Sequence, residues 1–274
     1  WVVASETCAF DLIGAEYVRD VEPGEILFIT NNGIEEDTFA EQDKRAMCAM
    51  EYVYFARPDS NIDGVNVHMA RKRMGKELAR EVAGIEADVI TGVPDSSLSS
   101  AIGFAEESGI PYELGLIKNR YVGRTFIQPT QELRERGVKM KLSPVVQVVK
   151  GKRVVMVDDS IVRGTTSRRI VRMLKEAGAA EVHVMITSPP MTNPCFYGID
   201  TSTPEQLIAS SHSVDEIRQA IEADTLTFLS AEGMVRATAR PFDDPDGGLC
   251  MACFTGKYPT EIFPDTVLPH EKEC

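Results

Sequence analysis

The sequence predicts an α/β fold built on a parallel sheet. Three observations carry that prediction. Short apolar runs occur without polar alternation, as at residues 154–157 (VVMV), a pattern suited to strands covered on both faces. Such runs are followed by segments of helical periodicity. Between them lie loops rich in hydroxyls and glycine, at the strand ends where open α/β sheets bind ligands.

The elements read in order as follows. Residues 1–45 read as strands and turns, starting in mid-strand at Trp1, with EPGE (22–25) and NNG (31–33) as turn signals. Residues 67–84 read as a helix with a basic first half. ADVITGVP (87–94) is a buried strand running into a loop, SSLSSAIGFAEESG (96–109) the next helix, and PYELGL (111–116) a further strand. After the 154–157 strand, Ile170, Val171, Leu174 and Ala177 share one helical face, and Gly178 stands at the C-cap. EVHVMITSPP (181–190) completes an alternation that implies right-handed crossovers. Residues 191–274 are more irregular, with a helix over 213–223 and Ser213 as its N-cap. The single tryptophan and the methionines read as core. No internal repeat or low-complexity tract interrupts the chain.

The 274 residues suffice for one large or two small domains, and 43% hydrophobic with 26% charged residues is ordinary for a soluble globular protein. A net charge of −13 argues against nucleic acid as a main partner, because phosphate backbones attract basic surfaces. No run of apolar residues is long enough to span a membrane as a helix, and no stretch of this sequence reads as a signal peptide.

The chemistry concentrates at VVMVDDSIVRGTT (154–166). Two adjacent carboxylates, Asp158 and Asp159, stand at a strand exit. They suit vicinal hydroxyls, a hard cation such as Mg²⁺, or both. Ser160, Ile161, Val162, Arg163, Gly164, Thr165 and Thr166 follow, supplying backbone amides and hydroxyls before a helix whose N-terminal dipole favours phosphate. A ligand with a phosphate beside a diol, a ribose 5-phosphate, fits this pattern. The alternative is an acidic strand end above an ordinary turn. The spacing of a nucleoside-triphosphate P-loop is absent. TGVPDSS (91–97) is a second candidate phosphate element, with Val93, Pro94, Asp95, Ser96 and Ser97 at a strand end before a helix; the competing reading is a helix cap.

Residues 118–144 form a long basic connection. Lys118, Arg120, Arg124, Arg134, Arg136, Lys139 and Lys141 stand there against Glu132 and Glu135. Such length inside a compact domain marks a functional or mobile segment, and a solvated basic loop is the alternative. Six cysteines occur: Cys8, Cys48, Cys195, Cys250, Cys253 and Cys274. CMAC (250–253) is a Cys-x2-Cys pair open to metal, redox or inert readings. Cys8 reads as a buried apolar thiol. His68, His183, His212 and His270 show no ligand spacing, and His183 reads as a satisfied sheet histidine.

VVMVDDSIVRGTT closely resembles the phosphoribosyl-pyrophosphate (PRPP) signature of type I phosphoribosyltransferases. EYVYFARPDSNIDG, TGVPDSS, GLIKNRYVGRTFIQPTQELRERGVKMKL, TSPPMTNPCFYGIDTST and CMACFTGKYPTEIF extend the resemblance, over essentially the whole chain, to the glutamine phosphoribosylpyrophosphate amidotransferase family. The resemblance implies a parallel-sheet type I phosphoribosyltransferase fold with an irregular C-terminal region. It implies that residues 1–45 are the tail of a glutaminase domain otherwise missing, and that 46–274 form the transferase. The implied activity is transfer of ammonia, drawn from glutamine in the longer enzyme, onto PRPP. That gives 5-phosphoribosylamine and pyrophosphate, the first step of purine biosynthesis. By the same resemblance, Asp158, Asp159 and residues 160–166 bind the ribose phosphate, and 93–97 bind the pyrophosphate. Ser96, Asp158 and Asp159 are associated with Mg²⁺. In the loop that the resemblance makes a closing one, Arg124 and Lys141 are the cationic candidates for the charge developing on the pyrophosphate, with Tyr121 packing or hydrogen bonding near it. Cys48, Cys195, Cys250 and Cys253 match the four ligands of a structural [4Fe–4S] cluster, with Cys8 as the rival to Cys48 and a four-thiolate zinc site as the rival to the cluster. Purine nucleotide inhibitors, a homotetramer and a cytoplasmic location are further implications, with no nucleic acid or membrane partner. The alternatives are a phosphoribosyltransferase for a nucleobase and a non-catalytic regulator that binds PRPP.

Overall fold

The structure, a computed structural model, describes residues 1–39, 45–119, 142–201, 203–240 and 248–262. The first strands are β1 (Glu25–Thr30), β2 (Gly33–Thr38), β3 (Ala46–Cys48), β4 (Asn61–Ile62), β5 (Val65–Asn66) and β6 (Val89–Gly92). They are followed by β7 (Leu116–Lys118), β8 (Leu142–Pro144), β9 (Arg153–Asp158), β10 (Glu181–Ile186), β11 (Thr225–Phe228) and β12 (Gly248–Cys250). The helices begin with α1 (Cys8–Ile13), α2 (Val67–Glu81), α3 (Leu98–Ser108) and α4 (Val146–Val149). They continue with α5 (Thr165–Glu176), α6 (Val214–Ala220), α7 (Ala231–Thr238) and α8 (Ala252–Thr255).

The central sheet runs β11-β10-β9-β6 and is parallel throughout. Tyr112 adds a parallel bridge to Ile90 at the outer edge. Strand β9 shows why its sequence lacks alternation. Val155 and Val157 join Ile90, Met74 and Phe104 in the core beneath α2 and α3. Val154 and Met156 join Ile170, Leu174 and Ile217 on the opposite face. The side chains of Val154, Val155, Met156 and Val157 are all fully buried, and each such burial contributes roughly 1.5–3 kcal/mol. A helix layer on each face is the arrangement a parallel sheet requires.

Helices α2 and α3 pack at backbone contact, with Gly75 facing Ser100 and Gly103 facing Lys72. This pins the loop before α3 to the sheet. Helix α6 starts with a capping box: Ser213 Oγ accepts from the Glu216 amide while the Glu216 carboxylate accepts from the Ser213 amide.

Several sequence expectations change. Residues 8–13 form a helix, not a strand or turn, and Trp1 is neither in a strand nor in the core, being 72% exposed. Met69 is likewise exposed, although most described methionines are core. The strand expected over 111–116 reduces to the Tyr112 bridge, and pairing begins only at Leu116. Pro111 carries no amide hydrogen to donate, and the Gly115 amide donates to Thr91 Oγ1 at 3.0 Å. Cys8 is buried, as expected. His183 is also buried but only half satisfied: Nδ1 lies 3.0 Å from Thr225 Oγ1, whereas Nε2, 3.1 Å from Glu181, makes no hydrogen bond. The N-terminal segment is fastened to the rest by Glu6, whose carboxylate accepts from the Arg57 amide at 2.7 Å and from Ser60 Oγ at 2.8 Å. Cys274 and His270 lie outside the described residues.

Candidate functional site

Strand β9 ends on Asp158, and Asp159 follows as the chain leaves the sheet. Both are buried, at 6% and 8% exposure. Asp158 Oδ1 accepts from Ser97 Oγ at 3.1 Å and from the Asp159 amide at 3.0 Å. Asp159 accepts from Ser96 Oγ and, at 2.7 Å, from Ser160 Oγ. The 93–97 loop is therefore stitched to the carboxylates through its serines, and the Val93 amide donates to Val157 O at 2.9 Å. The Pro94–Asp95 peptide is cis. Burial, and then the neighbouring Asp159 charge, push Asp158 well above the usual carboxylate range. Burial also raises Asp159, while its serine donors and the Arg71 guanidinium pull the other way.

Over these carboxylates opens a cavity of about 1010 Å³. Val93, Pro94, Asp95 and Ser96 line one side. Asp158, Asp159, Ser160, Ile161, Val162, Arg163, Gly164, Thr165 and Thr166 line the floor and the opposite side. Ser97 is fully buried beneath the surface and reaches the site only through Asp158; as the residue before α3, it makes no side-chain cap bond. Gly164 caps α5 with φ of +75°, and a Cβ there would approach Ile208 Cδ1 to 3.2 Å. Glycine is the residue that meets both demands. The first amides of α5 have no partner within a helix, so this end of the cavity is built to receive an anion. Lys118, at the end of β7, donates to Asp95 Oδ2 at 2.7 Å. Leu142, the first residue of β8, also lines the cavity, and β7 and β8 pair antiparallel. Tyr121, Arg124 and Lys141, with the rest of 120–141, lie outside the described residues.

Sequence reasoning missed part of the wall. Tyr54, Phe55, Ala56, Arg57 and Pro58 line the cavity from a π-helical turn (Glu51–Phe55) and its exit, joined by Arg71, Asp200 and Thr201. A signal for Arg71 was available. It falls among Val67, Ala70, Met74 and Leu78 on the buried face of α2, where a charged residue is out of place unless it has partners.

The cysteines form a second constellation. Parallel pairing of β3 with β12 sets Cys48 opposite Cys250. Cys195 and Cys253 complete the lining of a cavity of about 560 Å³. Burial, with the neighbouring thiols adding to it, pushes Cys48 up to about 11 and Cys253 up to about 12, and raises Cys250. Among the described residues, no group of three or more His, Cys, Asp or Glu side chains is arranged to hold a metal ion. No helix among them is long and apolar enough to cross a membrane.

Residues 63–191 match the family model of the phosphoribosyl transferase domain. The amidophosphoribosyltransferase of Bacillus subtilis (strain 168) is 71% identical over 274 residues, covering 100% of this chain and 57% of that protein. That of Staphylococcus epidermidis is 55% identical over 263 residues, covering 96% of this chain and 53% of that protein. A solved structure of the B. subtilis glutamine PRPP amidotransferase, complexed with ADP and GMP, superposes with a TM-score of 0.88 at 70% identity. It covers 97% of this chain and 58% of that one. The chain thus spans a little over half the length of these relatives.

Proposed function

The chain belongs to the amidophosphoribosyltransferase family, and on that premise we propose that it transfers ammonia to PRPP, releasing pyrophosphate and 5-phosphoribosylamine. The observation that carries the reading is the buried Asp158–Asp159 pair, set between the 93–97 loop and the amide and hydroxyl cradle of 160–166 in one cavity.

The 5-phosphate rests on 160–166, against the positive end of α5. The ribose diol is held by Asp158 and Asp159, and the pyrophosphate lies beside Val93, Pro94, Asp95 and Ser96. The ammonia lone pair forms the bond to the anomeric carbon as the bond from that carbon to the pyrophosphate oxygen breaks. Pyrophosphate leaves with the electron pair, and the new ammonium loses a proton. Ammonia is already a good nucleophile, so the protein's work is positioning and charge stabilisation. Tyr121, Arg124 and Lys141 are our candidates for stabilising the leaving group. Closure of their segment would exclude water from the electron-poor sugar carbon.

Two buried carboxylates with adjoining hydroxyls are a fitting oxygen donor set for Mg²⁺, with Ser96, Asp158 and Asp159 holding it. When bound, it would offset negative charge on the pyrophosphate. Four thiols around one cavity suit a [4Fe–4S] cluster held by Cys48, Cys195, Cys250 and Cys253. A zinc site held by the same four thiolates is the alternative. Such a cluster would fasten the C-terminal segment carrying Cys250 and Cys253 to β3, which carries Cys48.

We read residues 1–45 as the edge of a glutamine-hydrolysing domain and the whole protein as a homotetramer inhibited by purine nucleotides. The ADP and GMP bound to the B. subtilis relative support the inhibitor reading. The deciding experiment measures pyrophosphate release from PRPP and Mg²⁺ with ammonium or glutamine, across pH. Release with ammonium that rises with pH, and its loss in Asp158→Asn, is expected. PRPP binding without release under either donor would instead indicate a non-catalytic reader of PRPP.

A further inference from the structure

Arg71 is the one buried lysine or arginine among the described residues, 2% exposed, on the inner face of α2. The residue lines the cavity. Nε donates to Tyr52 O at 2.7 Å, and Nη2 donates to Ala56 O at 2.8 Å and Glu51 O at 3.5 Å. Those carbonyls belong to the π-helical turn and its exit, the backbone that presents Tyr54, Phe55, Arg57 and Pro58 to the cavity. π-helical turns leave carbonyl geometry irregular and gather at functional sites. A planar, always-charged fork meets several such oxygens at fixed, spread-out directions, whereas a lysine offers one compact ammonium with three rotatable donors. The acidic groups acting on Arg71 are Asp159, Glu6 and Glu51. The guanidinium thus joins the carbonyls of the 51–56 wall and feels the charge of Asp159.

We propose that Arg71 is a positioning residue for PRPP: it fixes the 51–56 backbone as the wall facing Asp158 and Asp159, and it is the buried cation that offsets the charge gathered there. This rests on the reading of the cavity as a PRPP site. A cation placed only to fill the core would be poor economy, since burying a charge costs stability unless its partners compensate. The same three carbonyls could have been satisfied by water or a neutral donor.

Two variants separate positioning from packing. Arg71→Lys keeps the charge and loses the fork; Arg71→Met keeps the length and loses both. With Mg²⁺ saturating and ammonium fixed, the KM for PRPP rises about tenfold in Arg71→Lys and further in Arg71→Met, as expected for lost charge-assisted hydrogen bonds. In both, kcat falls by a smaller factor. A folded variant with the wild-type KM overturns the proposal. Wild-type protein supplies a second readout that needs no variant to fold. The protected Nε–H resonance of Arg71 shifts when PRPP and Mg²⁺ are added, and a stationary resonance in PRPP-bound protein overturns the proposal. Wild-type protein that fails to bind PRPP at all brings down the site reading and this inference together. Binding by wild type with an unmoved Arg71 brings down this inference alone.

Discussion

Gly75→Ala tests how the α2–α3 contact supports the site. A Cβ built at Gly75 falls 1.9 Å from the Ser100 carbonyl oxygen, 2.8 Å from its carbonyl carbon and 2.9 Å from the Phe104 nitrogen. Ordinary contact begins near 3.4 Å, so the helices must part by about 1.5 Å, and every atom met is backbone that no rotamer change can move. Overpacking of this kind costs about 3 kcal/mol at the upper end of its usual range. Alanine's better helix propensity returns about 1 kcal/mol. The net loss, about 2 kcal/mol, lowers Tm by about 4–8 °C for a chain of this size. The site responds as well. Helix α3 begins just after Ser97, which binds Asp158, and Arg71 lies one turn before Gly75 on α2. The KM for PRPP therefore rises with the loss of stability. Thermal melts and initial rates of pyrophosphate release measure both. Gly103→Ala, whose Cβ would meet Lys72 O at 1.9 Å, gives a similar loss. The double variant loses less than the two singles combined, because helices already parted admit the second methyl. An unchanged Tm in Gly75→Ala, or strict additivity in the pair, refutes the close-contact reasoning.

Asp158→Asn abolishes PRPP-dependent pyrophosphate release and raises Tm at neutral pH. The folded-state pKa of Asp158 lies above its unfolded value, so the folded protein binds more protons across that window. Stability conferred by the group therefore falls as pH rises through the window, and the asparagine removes the fall. A lower Tm in the variant at pH 7 would contradict the raised carboxylate. Glu222 behaves with the opposite sign: hydrogen bonds from Arg172 and Arg168 lower it from 4.5 to about 2. Its contribution is present above pH 4.5 and disappears as pH falls toward 2, so Glu222→Gln flattens the acid limb of the stability profile between those values; an unaltered limb speaks against the network. For the cysteines, protein reconstituted anaerobically with iron and sulfide should bind both, and replacement of any one of Cys48, Cys195, Cys250 or Cys253 by serine should reduce that content, whereas Cys8→Ser should not. Equal zinc and no iron uptake would favour the four-thiolate zinc alternative.

Local pattern alone was enough to place strands β6, β9 and β10, helices α2, α3, α5 and α6 and the strand-end loops, but not β11 or α7, which lie in the stretch that reads as irregular. The unalternated run at 154–157 and the helical face of Ile170, Val171 and Leu174 are local consequences of double burial and of the 3.6-residue period. The adjacent aspartates and the hydroxyls after them were equally legible, because the site's floor is one continuous segment. The Ser213 cap was legible for the same reason. What lay beyond the sequence was whatever depends on distant segments meeting. That Ser96 and Ser97 spend their hydroxyls on Asp159 and Asp158 follows from the pairing of β6 with β9. Cys48 stands opposite Cys250 because β3 pairs with β12. The helix at 8–13 and the exposure of Trp1 depend on which neighbours are present to cover them, and composition does not say. Arg71 is the clearest case. Its sequence neighbours mark it only as a charge on an apolar stripe, and its role exists only once α2 is laid against the carbonyls of the 51–56 turn. Periodicity is a property of the chain read one residue at a time, whereas a partner for a buried charge is a property of the packed molecule.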